Sequence, residues 1–95
     1  MDREDIDVVH HPVSSRFIAE VEGHQAHLDY EIVDGAMHIT HTRVPSEIGG
    51  RGVAGEMTRV ALDHARAEGL KVKPLCSYAD GWMQRHPDYA DLRAS

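Results

Sequence analysis

The chain has 95 residues, of which 41% are hydrophobic and 27% are charged, and its formal net charge is −6. This length allows one domain with a modest core, so a large enclosed reaction chamber is excluded and any site is expected to be an open cleft. The negative charge argues against a general nucleic-acid-binding protein.

Cysteine content and the hydropathy pattern indicate the compartment. Cys76 is the single cysteine, so no internal disulfide can form. No apolar run approaches the ~20 residues of a membrane span. The acidic residues 1–5 lack the apolar stretch of a secretory signal. We therefore expect a cytoplasmic protein with no membrane partner.

The first half of the chain predicts an antiparallel meander. The N-terminal 13 residues are expected to be poorly ordered or to hold a short lead-in strand at residues 6–9. Three segments rich in strand-forming residues follow, and one of them alternates apolar and polar side chains. Asp34-Gly35 is a two-residue hairpin signal. The predicted strands are residues 16–21, 26–33 and 36–44.

The second half predicts one long helix followed by a short strand. Residues 53–68 have helical periodicity with a stripe of small and apolar side chains, and Gly69 is suited to end the helix. The stripe consists of Ala54, Met57, Ala61, Leu62 and Ala65. A strand at residues 71–76 then implies a crossover, hence a parallel or splayed pair of strands. One or two helical turns are expected at residues 80–85, and residues 90–95 are expected to be a polar tail. One domain, of mixed α/β (α+β) class, is predicted over the 95 residues.

The chemical signal lies in a glycine-rich loop between a strand and the long helix. Gly49, Gly50 and Gly52 remove side chains where the helix begins, so an anion can approach its free N–H groups. Arg51 adds a donor for a phosphate oxygen. The alternative is that these glycines only shape a tight turn. Neither a Walker loop nor a dinucleotide fingerprint is present, because their residue patterns are missing.

Val44-Pro45, the loop with Arg51-Gly52-Val53-Ala54 and the helix after it resemble the acyl-coenzyme A loop of the GCN5-related N-acetyltransferases. The pattern of that superfamily is Gln/Arg-x-x-Gly-x-Gly/Ala. Gly52 and Ala54 fill its last two fixed positions, whereas Gly49 stands where Gln or Arg is usual.

Two further segments carry the resemblance, which covers residues 14–92. They are Pro74-Leu75-Cys76 and the run from Trp82 to Tyr89, which ends His-Pro-Asp-Tyr. The chain is thereby similar to a minimal branch of the superfamily with members of about this size.

This resemblance implies a small, mostly antiparallel sheet with one long helix packed on it, and splayed strands that form a cleft for acetyl-coenzyme A. The backbone near Arg43 and Val44 would pair with the pantetheine arm, and residues 48–54 would hold the pyrophosphate. Arg85 is a candidate for a phosphate contact, and a surface cation is the alternative. The candidate cofactor-binding residues are Arg43, Val44, Ile48, Gly49, Gly50, Arg51, Gly52, Val53, Ala54, Tyr78 and Arg85.

Acyl transfer to an amine needs a base or a nucleophile. The resemblance places Cys76 near the sulfur of the cofactor, although an inert buried cysteine is the alternative. Alternation puts His41 on the same face as the apolar side chains of its strand and makes it the candidate base beside Cys76. Tyr78 is a third candidate, as an acid. Histidines three apart on a strand point to opposite faces, so no metal site is expected.

The predicted function is acetyl-coenzyme A-dependent transfer of an acetyl group to an amine. An acyl-coenzyme A-binding module that works with a partner protein, without turnover, is the second hypothesis. A small interaction protein whose glycine loop is only a turn is the third. The acceptor amine and the oligomeric state stay open.

Overall fold

The computed structural model describes residues 6–94. Its elements, in chain order, are strands β1 (Val8–His11), β2 (Arg16–Val21), β3 (His24–Val33) and β4 (Ala36–Arg43), a short 3-10 helix (Ser46–Ile48), helix α1 (Val53–Ala67), strand β5 (Lys71–Pro74), helix α2 (Ser77–Arg85) and a second 3-10 helix (Pro87–Leu92). The predicted α/β class, with one long helix on a small sheet, is confirmed. The lead-in strand forms at residues 8–11 instead of 6–9, and the acidic residues 1–5 lie outside the described part.

The five strands form one sheet in the order β1-β2-β3-β4-β5. The first four make an antiparallel meander, and β4 pairs with β5 in parallel through the α1 crossover. Asp34 and Gly35 join β3 to β4 with φ values of 51° and 77°. Left-handed conformations at both positions are what a tight two-residue hairpin turn requires.

A β-bulge interrupts β4. Tyr30 of β3 lies opposite Ile39, whereas Asp29 lies opposite His41, so Thr40 is an extra residue on β4. Beyond such an extra residue, each side chain of the strand points to the opposite face of the sheet from the one that strict alternation would give. Ile39 is fully buried under α1, but His41 is exposed on the opposite face of the sheet.

Helix α1 covers one face of the sheet and forms the core with it. Met57, Ala61, Leu62 and Ala65 of the predicted stripe are fully buried. Ala54 is only half-buried. Val53 and Thr58, which lie outside the predicted stripe, are buried in the core. The hydroxyl of Thr58 donates to the carbonyl of Ala54 at 2.8 Å. Among residues 6–94, no helix has both the length and the apolar character needed to cross a membrane.

The C-terminal segment is more ordered than its polar sequence indicates. Helix α2 begins at Ser77, three residues before the predicted turns, because Cys76 serves as its N-cap. The second 3-10 helix ends at Leu92, whose side chain is buried. Arg93 bridges to Val72 of β5, and the N–H of Ala94 donates to the Val72 carbonyl at 2.8 Å. The predicted tail at residues 90–95 therefore lies along the edge of β5, as far as Ala94.

Candidate active site

An open groove of about 290 Å³ lies where β4 ends and α1 begins, with α2 as its third wall. Its surface is mostly apolar side chains and bare backbone. The lining residues are Val44, Ile48, Gly49, Gly50, Gly52, Val53, Ala54, Gly55 and Tyr78. Most of the residues that we predicted to bind the cofactor therefore surround one groove; the exceptions are Arg43, Arg51 and Arg85.

The first turn of α1 has free backbone N–H groups that can bind an anion. Gly52 is the N-cap of the helix with φ 80° and ψ 16°, a left-handed conformation that glycine adopts without strain. No side chain caps this helix end, and the N–H of Glu56 is the first that bonds back, to the Gly52 carbonyl. The N–H groups of Val53, Ala54 and Gly55 are thus the orphan donors of the helix. These three residues line the groove, so the groove fits a phosphate group.

Gly55 is a groove residue that we did not predict. A Cβ atom built on it would lie 3.4 Å from the Tyr78 hydroxyl oxygen and 3.5 Å from the Trp82 indole nitrogen. The missing side chain lets these two rings of α2 approach the first turn of α1. The sequence shows only a helical glycine, and the close packing of two helices is the reason it is tolerated there.

Cys76 lies where β5 leaves the sheet. The N–H groups of Leu75 and Cys76 both donate to the carbonyl of Ile39, at 2.9 and 3.1 Å. Beyond this point β4 and the chain after β5 diverge. The Cys76 sulfur accepts the N–H of Ala79 at 3.4 Å and lies 3.4 Å from the Thr42 hydroxyl oxygen. The thiol is half-buried on the helix-facing side of this opening.

The predicted pairing of His41 with Cys76 is wrong. The bulge at Thr40 turns His41 to the open face of the sheet, away from α1, and puts Thr42 on the helix-facing side. Thr42 lies opposite the fully buried Leu28 and contacts the cysteine in place of the histidine. Strict alternation is valid only for an uninterrupted strand.

The side chains of Arg51, predicted to contact phosphate, and of Arg43, whose backbone was predicted to pair with the pantetheine arm, both point away from the groove. Arg51 forms an ion pair of 2.8 Å with Glu22 in the turn between β2 and β3. This hydrogen bond and the neighbouring charge lower the pKa of Glu22. Arg43 is exposed and lies opposite His27, a strand residue outside the groove. Both side chains therefore lie outside the groove lining.

Arg85 lies beside the groove rather than in its lining. Its guanidinium nitrogen is 3.2 Å from the position that a Cβ on Gly81 would take, so Gly81 gives it room along α2. The pKa of Tyr78 is raised by burial, and the positive charge of Arg85 acts against this rise. The arginine is thus close enough to Tyr78 to influence its hydroxyl.

Comparisons with known proteins agree with this architecture. A sequence model of the GCN5-related N-acetyl-transferase family matches residues 16–92. Protein NATD1 from Gallus gallus is 32% identical over 85 residues, which is 86% of this chain and 77% of NATD1. The NMR structure of a GCN5-like protein from Staphylococcus aureus matches with a TM-score of 0.74 and 27% identity, over 94% of this chain and 88% of that one. The chain belongs to the GCN5-related N-acetyltransferase family.

Proposed function

We propose that this protein transfers an acetyl group from acetyl-coenzyme A to a primary amine. Family membership supports an acetyltransferase activity in general. The observation that carries the specific proposal is the groove itself, which combines apolar walls with an uncapped helix N-terminus. A long ligand with an apolar arm and phosphates needs both features.

The phosphate end of the ligand is assigned to the loop and the first turn of α1. The orphan N–H groups of Val53, Ala54 and Gly55 would hold a pyrophosphate, because the helix dipole and unpaired donors both favour negative charge there. Arg85, beside Tyr78, is the cation placed to contact a further phosphate. Arg51 becomes available only when its ion pair with Glu22 opens.

The acyl end is assigned to the opening beside Cys76 and Thr42. Acetyl-coenzyme A supplies an acyl group as a reactive thioester. We assign Cys76 a positioning role, because its sulfur already accepts the Ala79 N–H as a helix cap and contacts Thr42. Direct attack by the amine is therefore the mechanism that we propose, ahead of an acetyl-cysteine intermediate. Tyr78, with its pKa raised by burial, stays protonated at neutral pH and can donate a hydrogen bond.

A second candidate function is acyl-coenzyme A binding without turnover. The position of His41 favours it, because this histidine is absent from the helix-facing side of the opening. Cys76 and Tyr78 are titratable side chains that lie near that side. A protein of this kind would bind the ligand through the same loop and leave the thioester intact.

The experiment is thiol release from acetyl-coenzyme A in the presence of spermidine, a lysine-containing peptide or a peptide amino terminus. Transfer shows as amine-dependent thiol release together with an acetylated product in mass spectrometry. Thermal melting with coenzyme A is the parallel measurement. A raised melting temperature without any acetylated product would favour the binding module, and no rise at millimolar coenzyme A would contradict both functions.

A further inference from the structure

A second cluster of titratable side chains lies on the face of the sheet that α1 leaves open. His27 of β3 approaches Asp29, with its Nδ1 atom 2.9 Å from the carboxylate oxygen Oδ1. The carboxylate is held in turn by Arg16 of β2, whose Nε and Nη2 atoms donate at 2.7 and 3.3 Å. The ring of His41, turned to this face by the bulge, lies 5.9 Å from the His27 ring, measured between centroids.

This arrangement orients the ring of His27. An ionised carboxylate can only accept, so Nδ1 of His27 is the donor in this contact, and in the neutral ring the lone pair is on Nε2. Burial alone would raise the pKa of Asp29, but the hydrogen bonds from Arg16 and His27 outweigh it and lower the pKa. The carboxylate therefore stays charged at neutral pH. An oriented, carboxylate-supported imidazole of this kind is what a general base requires.

One member of the cluster, His41, lies on β4, the strand that borders the opening that we assign to the acyl group. β4 and the chain after β5 flank the opening and separate beyond Ile39. The Cys76–Thr42 contact lies on the helix-facing side of the opening. His41 follows the bulge on the other face of the same strand, next to His27. On the open face of the sheet, the strand that borders the opening therefore carries a histidine with a second imidazole next to it.

Resting on the proposed function, we propose that the acceptor amine docks on the open face of the sheet and that Nε2 of His27 takes its proton. As the new N–C bond forms, the C–S bond breaks, and its electron pair leaves on sulfur, which takes a proton from water. His27 then returns the amine proton to solvent. Asp29 and Arg16 act as positioning residues, and His41 forms a wall of the docking site.

This role can be separated from a structural one by pH dependence. The charged and titratable groups on the open face around His27 are Asp29 on its own strand, Arg16 and Glu20 from β2, and His41 and Arg43 from β4. Asp29→Asn removes the negative charge and the hydrogen-bond acceptor beside the His27 ring. If His27 acts in the reaction, the pH profile of the rate should therefore differ between Asp29→Asn and the unaltered protein.

The variants are His27→Gln and Asp29→Asn, with His38→Gln as the matched control on β4. His38 lies opposite Glu31, away from the cluster. We expect His27→Gln to lower kcat/KM by about 100-fold, Asp29→Asn to lower it less and to change the pH profile of the rate, and His38→Gln to do neither. Melting temperatures with coenzyme A establish that each variant is folded and binds the donor.

A second readout needs no activity. Two-bond 15N correlation spectra of the free protein should show the neutral His27 ring with its hydrogen on Nδ1, and Asp29→Asn should weaken this preference for Nδ1. A neutral His27 ring with its hydrogen on Nε2 would contradict the assignment of His27 as the base. The same rate and pH profile in His27→Gln and in the unaltered protein would contradict it as well. Failure of the unaltered protein to acetylate any of the three amines would instead refute the transfer reaction itself, and the base with it.

Discussion

The sulfur of Cys76 and the hydroxyl oxygen of Thr42 are 3.4 Å apart across the opening between β4 and the chain after β5. The contact depends on two local features, namely the bulge that turns Thr42 to the helix-facing side and the N-cap that holds Cys76 at the start of α2. Together they join an element of the meander to an element beyond the crossover. In the proposed reaction, the acyl group would lie beside this pair.

Cys76 variants distinguish direct attack from an acetyl-cysteine. Cys76→Ser keeps a hydroxyl that can cap α2, so we expect a modest loss of rate and an intact fold. Cys76→Ala removes the cap and should cost about 1 kcal/mol of unfolding free energy as well. Mass spectrometry of the unaltered protein with acetyl-coenzyme A, in the absence of amine, should show no acetyl adduct. An adduct that accumulates on Cys76 would contradict direct attack.

Gly52 should be essential for ligand binding because of its backbone conformation. A side chain at φ 80° is strained by about 1–2 kcal/mol, so Gly52→Val should lower the free energy of unfolding and weaken coenzyme A binding strongly. Gly35→Val is the matched control, since its φ is 77° and no atom lies within 4 Å of its Cβ position, far along the chain from the loop. Equal loss of coenzyme A affinity in both variants would show that strain, not the loop, is responsible.

Arg51 should matter less than Gly52. Because its guanidinium is paired with Glu22 outside the groove, Arg51→Ala is expected to leave a measurable thermal shift with coenzyme A. At a ligand concentration a hundredfold above the dissociation constant, binding stabilises by ~2.7 kcal/mol, which for a domain of this size is on the order of 10 °C. Loss of that shift in Arg51→Ala, with a normal shift in a folded Gly52→Val variant, would contradict the backbone cradle.

Gly55 offers a size series at the groove wall. Gly55→Ala places its Cβ in ordinary contact, 3.4 Å from the Tyr78 oxygen, and improves helix propensity, so stability should change little. Gly55→Leu has no room between α1 and the rings of Tyr78 and Trp82. It should lower the melting temperature and abolish coenzyme A binding, measured by thermal shift and by titration. Normal binding in Gly55→Leu would place the ligand elsewhere.

Stability should depend on pH through His10. Its ring stacks on Phe17 at 4.3 Å, lies 4.5 Å from His64 of α1, and its Nε2 is 2.6 Å from the Tyr30 oxygen. Burial, with His64 and then His11, lowers the pKa of His10 from its ordinary value of 6.5. The unfolded chain therefore binds more protons near that pH, so unfolding free energy should fall as pH drops through 6.5. Urea melts at pH 7.5 and 5.5 test this.

His10→Gln should flatten that pH dependence, whereas His24→Gln should leave it unchanged. His24 begins β3 and is not among the groups that act on the His10 ring. The same slope in the unaltered protein and in His10→Gln would assign the effect to another group.

Much of the fold follows from local patterns in the sequence. Alternation and the Asp34-Gly35 turn predict the meander, and the apolar stripe predicts α1 to within one residue of its end at Ala67. The orientation of a site residue could not be predicted in the same way where it depends on a β-bulge. One extra residue at Thr40 decides which face His41 takes, and nothing in the side chains of β4 indicates that step.

The partners of the charged residues could not be predicted from the sequence either. Arg51 lies in a loop with the composition of an anion site, but a turn residue 29 positions earlier, Glu22, binds its guanidinium. Helix α2 begins early because Cys76 serves as its cap, a role more typical of Ser, Thr, Asp or Asn. Both features depend on contacts between distant segments, which propensity and periodicity do not report.

The pairing of Arg93 and Ala94 with Val72 bears on self-association. A bare outer strand is a template on which another chain can add a strand, and such edges promote aggregation. The last described residues occupy the free edge of β5, while β1 presents the other edge of the sheet within residues 6–94. Loss of the segment after Leu92 would uncover Val72 and give the sheet a second edge open to intermolecular pairing. Proteolytic trimming of a few residues would then act on solubility rather than on the groove.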